Sequence, residues 1–409
     1  MATKKKKTEK EFNDSEWQAI NAIFNKSADD FGLPERRDDS VVIGSFNIRK
    51  LGAIKARPDR YWDFLKSIIE RFDLIAIQEI MDDLSGLEYL KELLGKNYGM
   101  VVSDVTGVKP GERGNPERLG FLFNWKRIER TALASDITYD RSDIANNLYN
   151  HRAIFDAAWE KHKEKLDKWE IKCKKKKAEG KKKPGKPPMV LPKFLSFIRQ
   201  PHYVSFQTKV KKKTVDPLKF LVVNAHLHYG TKKEREMEFY ALLDWLTVRA
   251  QEIDKLYHPN ILLLSDCNLD FGKVSVMRNK ATAFIKSLNK SVLDKKTNKK
   301  AATANFPILS PHPKHGILKT NLRQKETYDQ IGIFSHDTRL PTPDDNKNAG
   351  TTDGDYDYGV FNIANLLAMA LHGKNLNKVT ANQRKAIYKK SEWDISDHMP
   401  IWIRLKLPE

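Results

Sequence analysis

The chain has 409 residues, 40% of them hydrophobic, enough to bury a sizeable core in one large domain with insertions or in two domains. Lys and Arg number 73 against 53 Asp and Glu, a net charge of +20 that suits a polyanionic partner, either nucleic acid or an anionic membrane surface, unless it is only a solvated surface with a charged tail. Two cysteines, Cys173 and Cys267, exclude a disulfide framework and a cysteine metal cluster and point to a reducing compartment, and no run of about 18 apolar residues predicts a transmembrane helix.

Residues 1–13 read as a basic tail with no apolar stretch of signal-peptide length behind it, so an intracellular site is expected, cytoplasmic or, in a eukaryote, nuclear. The lysines at 4–7 are read as a solvated tail ahead of a nuclear address. Ser15 is the expected cap of a helix carrying Trp17, Ile20, Ile23 and Phe24 on one side, and 29–40 reads as a linker. VVIGSFNI (41–48) reads as a buried strand, 60–72 as a helix, DLIAIQE (73–79) as a second strand and LGFLFNW (119–125) as a third, with 128–139 its expected hairpin partner. Residues 143–177 read as one long helix that grows basic along its length. The stretch 161–187 holds 13 lysines against four acids and runs into GKKKPGKPP, which cannot all be helical. The segment 143–193 is therefore expected to be an insertion, partly helical and basic. Strands are expected at 203–210 and 219–226 across a lysine-rich turn, then an amphipathic helix at 232–253, a strand at 261–266, a helix near 275–289 and a loop over 290–320. A strand at 328–334 follows, then a second insertion at 335–395 with helices near 359–372 and 377–390, and a final strand at 399–407. This loose alternation predicts an α+β protein of two packed, mostly antiparallel sheets with helices on the outer faces.

Polar groups recur at the strand ends: Asn47, Glu79, the Glu117–Arg118 pair, Asn224, His226, His228, Asp266, Asn268, Asp329, Asp397 and His398. A carboxylate ending a buried strand is costly unless paired, hydrogen-bonded or metal-bound. Seven such sites rich in oxygen donors suit a hard cation such as Mg²⁺ or Mn²⁺, and two histidines with spare carboxylates suit acid–base chemistry near neutral pH.

The segments SFNIRKLG (45–52), LIAIQEI (74–80), ERLGFLF (117–123), VVNAHLHYG (222–230), LLSDCNLDF (263–271), TYDQIGIF (327–334) and SDHMPIWIRL (396–405) come in the order found in the endonuclease/exonuclease/phosphatase superfamily. Over roughly 41–142 and 194–407 the chain resembles that superfamily, and in particular its deoxyribonuclease I branch. The resemblance implies a four-layer α/β-sandwich spanning 41–409, preceded by a tail and helix at 1–40. It further implies Glu79 as main metal ligand with Asn47 beside it and Asp397 as a further or water-mediated ligand. Asp266 and Asn268 would hold the attacking water, the phosphate or a second metal. His226 oriented by Glu117 and His398 oriented by Asp329 would serve as acid and base, in either order. IRQPHYVSF (198–206) resembles the arginine-bearing strand of that branch, which points Arg199 at the phosphate. Arg118, Asn224 and His228 are candidate substrate contacts, with a rim or structural role preferred for His228. Mg²⁺ or Mn²⁺ is the implied cofactor, with Ca²⁺ as a structural ion in addition. Departures stand at Ser265 (glycine in the family), Cys267 (phenylalanine, and read here as an inert buried thiol), Met81 (arginine) and Asn115 (tyrosine), so the catalytic pattern is kept better than the DNA-reading one. The expected function is a metal-dependent nuclease, most simply a DNA endonuclease. A phosphatase or phosphodiesterase of inositol phosphates or lipids, and a non-catalytic nucleic-acid-binding protein, are the alternatives. Trp159 and Trp169 in the basic insertion are read as packing residues ahead of base-stacking ones.

Overall fold

Strand alternation divides the apolar residues into three cores. In the first strand, β1 (Ser40–Leu51), Val41 and Ile43 point one way and Val42 and Phe46 the other, and all are buried. The computed structural model describes residues 11–105, 116–212, 214–252, 255–272, 276–291, 302–351 and 356–408, so the lysines at 4–7 and Asn115 lie outside the described residues.

The elements follow as α1 (Asp14–Ser27), β1, α2 (Asp59–Ile69), β2 (Leu74–Ile80), α3 (Ser85–Leu94), β3 (Tyr98–Val102), β4 (Arg118–Asn124), β5 (Ile128–Asp136), α4 (Arg141–Asn150) and α5 (Arg152–Ala178). Next come β6 (His202–Thr208), β7 (Lys219–His226), α6 (Lys232–Gln251), β8 (Asn260–Asp266), α7 (Val276–Ser291), β9 (Thr303–Asn305) and β10 (Asp329–Ser335). The described chain closes with β11 (Asp357–Val360), α8 (Ile363–His372), α9 (Ala381–Asp394) and β12 (Ile401–Lys406).

Two six-stranded sheets form, in the orders β11-β12-β1-β2-β4-β3 and β5-β6-β7-β8-β10-β9. Each has a parallel pair near its middle, β1/β2 bridged by α2 and β7/β8 bridged by α6; the other pairings are antiparallel. Between the sheets lie Ile43, Ala76, Phe121, Phe206, Val222 and Leu264 among others. Behind the first sheet, Trp17, Trp62, Leu90 and Leu367 pack from α1, α2, α3 and α8, and behind the second, Phe239, Leu243 and Ala281 pack from α6 and α7. The result is the α+β sandwich of four layers expected from the motifs. Gly44 lets the outer core close on the helix side of the first sheet, since a Cβ there would meet the Phe72 ring at 2.3 Å.

Several local readings need correction. Asn13, not Ser15, caps α1: its side chain accepts from Glu16 N, and Glu16 answers on Asn13 N. Residues 29–40 are no free linker, because a 3₁₀ turn (Ala28–Phe31) and buried Leu33 hold them on the first sheet's outer core. The strand at 128–136 does not pair with 118–124; it crosses to the second sheet and pairs with β6, while β4 takes β3 as its partner. Phe123 and Ile128 both point into the seam, so the short turn between them changes sheet without leaving the core. The long basic helix is two helices, broken at His151. Within 335–395, β11 extends the first sheet and α8 fills its outer core, which makes much of that segment part of the sandwich. Among the described residues no helix is long and apolar enough to cross a membrane.

Candidate active site

The four parallel strands end at one place. Asn47 and Gln78 have the same parity as the seam-facing residues of β1 and β2, and His226 and Asp266 as those of β7 and β8. Polar side chains that leave an apolar seam at its end are thereby brought face to face. Antiparallel neighbours add two more: Asp329 stands opposite Asp266 in the β10/β8 register, and His398 lies just before β12. Glu117, in the residue before β4, completes the set.

Glu79 breaks the alternation. By parity it would face the helices, but it sits where the β2 register shifts, with φ of 58°, in a left-handed conformation unfavourable for a side chain with a Cβ. The bulge turns its carboxylate toward Asn47, whose Nδ2 donates to Glu79 Oε1 (3.2 Å) and to Asp266 Oδ2 (2.9 Å). Asn268 is also left-handed, with φ of 50°; its Nδ2 donates to the Leu227 carbonyl and its backbone N–H to Asp266 Oδ1.

Asp266 is the centre. Its Oδ2 lies 3.6 Å from His226 Nε2 and 3.5 Å from His398 Nε2. Each ring is backed at Nδ1 by a carboxylate: Glu117 Oε2 at 3.2 Å for His226, and Asp329 Oδ2 at 2.9 Å for His398. Burial acts to raise the Glu117 carboxyl, but His226 and Arg199 outweigh it and hold it at about 2. Burial likewise acts to raise Asp266, yet the two imidazoles bring it below its ordinary range. His398 would be lowered by its burial, but Asp329 and then Asp266 carry it well above its usual value, while burial keeps Asp329 raised. The His398–Asp329 pair thus holds one proton tightly.

On the Asn47 side the donors suit a hard cation. Asn47 Oδ1 and Asp397 Oδ1 are buried without a hydrogen-bond partner, and Glu79 lies against Asn47, so these oxygens are of the kind a hard cation takes. Donor atoms of Asp266, Asp329 and His398 also lie within 4.8 Å of one another. Asp329 is engaged by His398 Nδ1, however, so that cluster reads as a hydrogen-bonded network before a metal nest.

The remaining candidates lie elsewhere. Arg199 does not extend into open space: Nε and Nη2 grip Glu117 at 2.5 and 3.1 Å, and Nη1 donates to the Leu227 carbonyl. Arg118 has the opposite parity to Glu117, faces away from the seam and pairs with Asp104 at 2.7 Å. Asn224 is fully buried between the sheets, donating to the carbonyls of Ile77 and Gly120 and accepting from Gln78, with no surface left for a substrate. His228 stands at the rim, 4.0 Å from Glu234, and burial lowers its pKa. Cys267 is buried beside Ser265 Oγ, its thiol pushed far up by burial.

Four supporting residues have no place among the sequence candidates. Ser396 Oγ donates to the Asn47 carbonyl and accepts from the backbones of Arg49 and His398, clamping β1 to the His398 turn. Thr320 Oγ1 accepts the N–H groups of Tyr328 and Asp329. Glu238, buried on α6, accepts from Ile198 N and His228 N, tying down the segments that carry Arg199 and His226. Arg235 donates to the Asn268 carbonyl. Only Ser396, two residues before His398, carries a local signal, that of a serine turn.

No protein-family model matches the chain, and no curated protein matches it. Solved structures with a similar chain path include an endonuclease/exonuclease/phosphatase family protein from Bacteroides thetaiotaomicron (TM-score 0.44, 14% identity, covering 89% of this chain and 97% of that one). Others are the human Nocturnin catalytic domain with bound sulfate (0.42, 11%, 91% and 96%) and D. rerio TDP2 complexed with a single-strand DNA product (0.44, 10%, 90% and 99%). The first of these carries in its name the superfamily that the sequence motifs resemble.

Proposed function

We propose that this chain is a divalent-metal-dependent phosphodiesterase acting on nucleic acid, with endonucleolytic cleavage of DNA as its reaction. The observation that carries the reading is the convergence of two carboxylate-backed histidines on Asp266, beside the partnerless oxygens of Asn47 and Asp397. Bound by Glu79, Asn47 and Asp397, Mg²⁺ or Mn²⁺ would draw charge from a phosphoryl oxygen. One imidazole takes a proton from the attacking water at Nε2, and the other returns a proton from Nε2 to the leaving oxygen. Glu117 and Asp329 fix both tautomers from behind. Arg199 acts through Glu117, keeping it ionised, in place of contacting phosphate. The net charge of +20 favours a substrate with many phosphates.

The test is a metal-supplemented screen over duplex DNA, single-stranded DNA, RNA and inositol phosphates. Cleavage of nucleic acid that chelator abolishes is expected. His226→Ala and His398→Ala should each lower turnover by about 10²–10⁴-fold, the usual contribution of general acid–base groups. Turnover of inositol phosphates alone would move the assignment to a phosphatase on this scaffold, and metal-saturated protein that hydrolyses nothing would end the catalytic reading.

A further inference from the structure

The longest helix in the described chain contributes no buried side chain to the three cores. None of the residues of α5, 27 in all, is buried, and Ile171 and Trp159 are 67% and 48% exposed. Charge is distributed unevenly along it. Its first half balances lysines with acids, as in the pairs Arg152–Asp156 and Lys163–Glu160. Its far end and the turn beyond do not: residues 172–186 hold nine lysines and one acid, Glu179, which is already shared between Lys176 and Lys181. Four consecutive lysines at 174–177 project on all sides of a helix, so they cannot form a single face against this protein. The segment after α5 turns back beside it: Trp169 Nε1 donates to the Pro184 carbonyl, Lys183 lies over the Trp169 ring at 4.6 Å, and Lys193 Nζ reaches His151 Nε2 at 2.8 Å. Residues 152–193 therefore form an arm with two legs.

The arm leaves the sandwich at the catalytic end. It joins the end of β5 to the start of β6, where Asp136 stands opposite His202, His202 opposite Asn224, and, two residues along β7, His226 opposite Asp266. Its root is the aromatic cluster of Tyr139, Phe194 and Phe197, with Phe194 to Phe197 centroids 5.1 Å apart. Five residues after Phe194 comes Arg199, which grips Glu117. The lysine-rich β6–β7 turn, by contrast, lies at the opposite end of those strands.

We infer that this arm is a nucleic-acid-binding element that holds the phosphate backbone of a long substrate away from the bond being cut. The inference rests on the nuclease reading only for its direction, since a basic arm rooted at the site that hydrolyses phosphodiesters can hold the same polymer that the site cuts. At about 1.5 Å per residue the lysine run begins roughly 33 Å from Arg152. With phosphates spaced about 3.4 Å along each strand, that reach corresponds to roughly ten base pairs. Short substrates lie inside it, and longer ones extend to the lysines.

The experiment replaces the lysines at 174–177 and 181–183 with glutamine in the full chain. Binding of a 30-base-pair duplex (about 30 as a design length, some three times the reach) is measured in chelator at several salt concentrations, and hydrolysis of bis(p-nitrophenyl) phosphate is measured with Mn²⁺. Neutralising the arm should weaken duplex binding by about 10-fold or more at low salt and reduce the log–log salt slope by about 0.9 for each phosphate that the variant fails to neutralise, leaving hydrolysis of the small diester unchanged. Unchanged duplex affinity and salt slope would overturn the inference, as would weaker binding to anionic phosphatidylserine vesicles with duplex binding intact. Duplex binding by wild type without turnover of either diester would sink the nuclease reading and leave the arm. Turnover of the small diester without any duplex binding would do the reverse.

Discussion

Asp266 keeps its charge in a buried position because it is approached by two imidazoles, one side-chain amide and one backbone N–H. The residues that make this arrangement fall into two kinds. Those at strand ends are legible in the sequence, because a charged group directly after an apolar run must be paired or bound where the run is buried. Glu79, Glu117, His226, Asp266, Asp329 and His398 are all brought to one end of the seam. Those that support the site from helices and loops are not legible. Glu238 lies in an ordinary amphipathic stretch where a glutamate signals a solvated face, yet it is 5% exposed and accepts two backbone N–H groups. Glu238→Met, close in size but without an acceptor, should cost about 1–3 kcal/mol for each donor left unsatisfied, read as a lower urea midpoint, and Glu238→Gln should fall between it and wild type. Equal midpoints for all three proteins would show that neither bond matters. Arg199 illustrates the opposite case: the strand motif around it is legible, but its grip on Glu117 does not follow from spacing.

At the level of elements, the inner strands β1, β2, β4, β7, β8, β10 and β12 are legible as apolar runs and most helices as periodic stretches, whereas α3, β9 and β11 are not. Pairing is not. The transfer of β5 to the second sheet depends on a turn whose two flanks are both apolar, and nothing local separates it from a hairpin. β3 carries a weak signal because its YGMVV (98–102) is short and half-buried. The docking of α1 likewise depends on a contact far along the chain: Phe12 N donates to Asp394 Oδ2 at the end of α9. Burial raises the Asp394 carboxyl to about 6 despite that bond. A carboxyl raised in the folded state binds protons more tightly there than in the unfolded chain, so its contribution is greatest below about pH 4 and is lost as the pH rises through about 6. Relative to Asp394→Asn, wild type should therefore lose thermal stability between pH 4 and pH 6, seen as a difference in melting temperature that grows over that window. A constant difference would show that the carboxyl does not titrate there.

The whole molecule joins its sheets with polar contacts as well as apolar ones. Gln78 Nε2 donates to Asn224 Oδ1 across the seam, and Asn224 returns two bonds to backbone carbonyls of the first sheet. The paired residues of the site are also remote in sequence, with Asn47 and Asp266 separated by 219 positions and Asp329 and His398 by 69. Composition and charge point to the class of molecule, but no local pattern reports which strand ends meet, because that is set by the docking of two sheets. The ordered motifs carry this information, and they do so by resemblance.

The position of β12 has a consequence for how the protein is made. Among the described residues, the strand latest in chain order is an inner strand of the first sheet, seated between β11 and β1, and His398 comes immediately before it. A growing chain therefore carries His226 and Asp266 for well over a hundred residues without a closed first sheet or its second imidazole. Under the proposed function, cleavage of nearby nucleic acid, including the message being read, would await residues 398–406. A chain cut after Asp394 should show neither a cooperative thermal transition nor hydrolysis of bis(p-nitrophenyl) phosphate, and activity in that fragment would refute this timing.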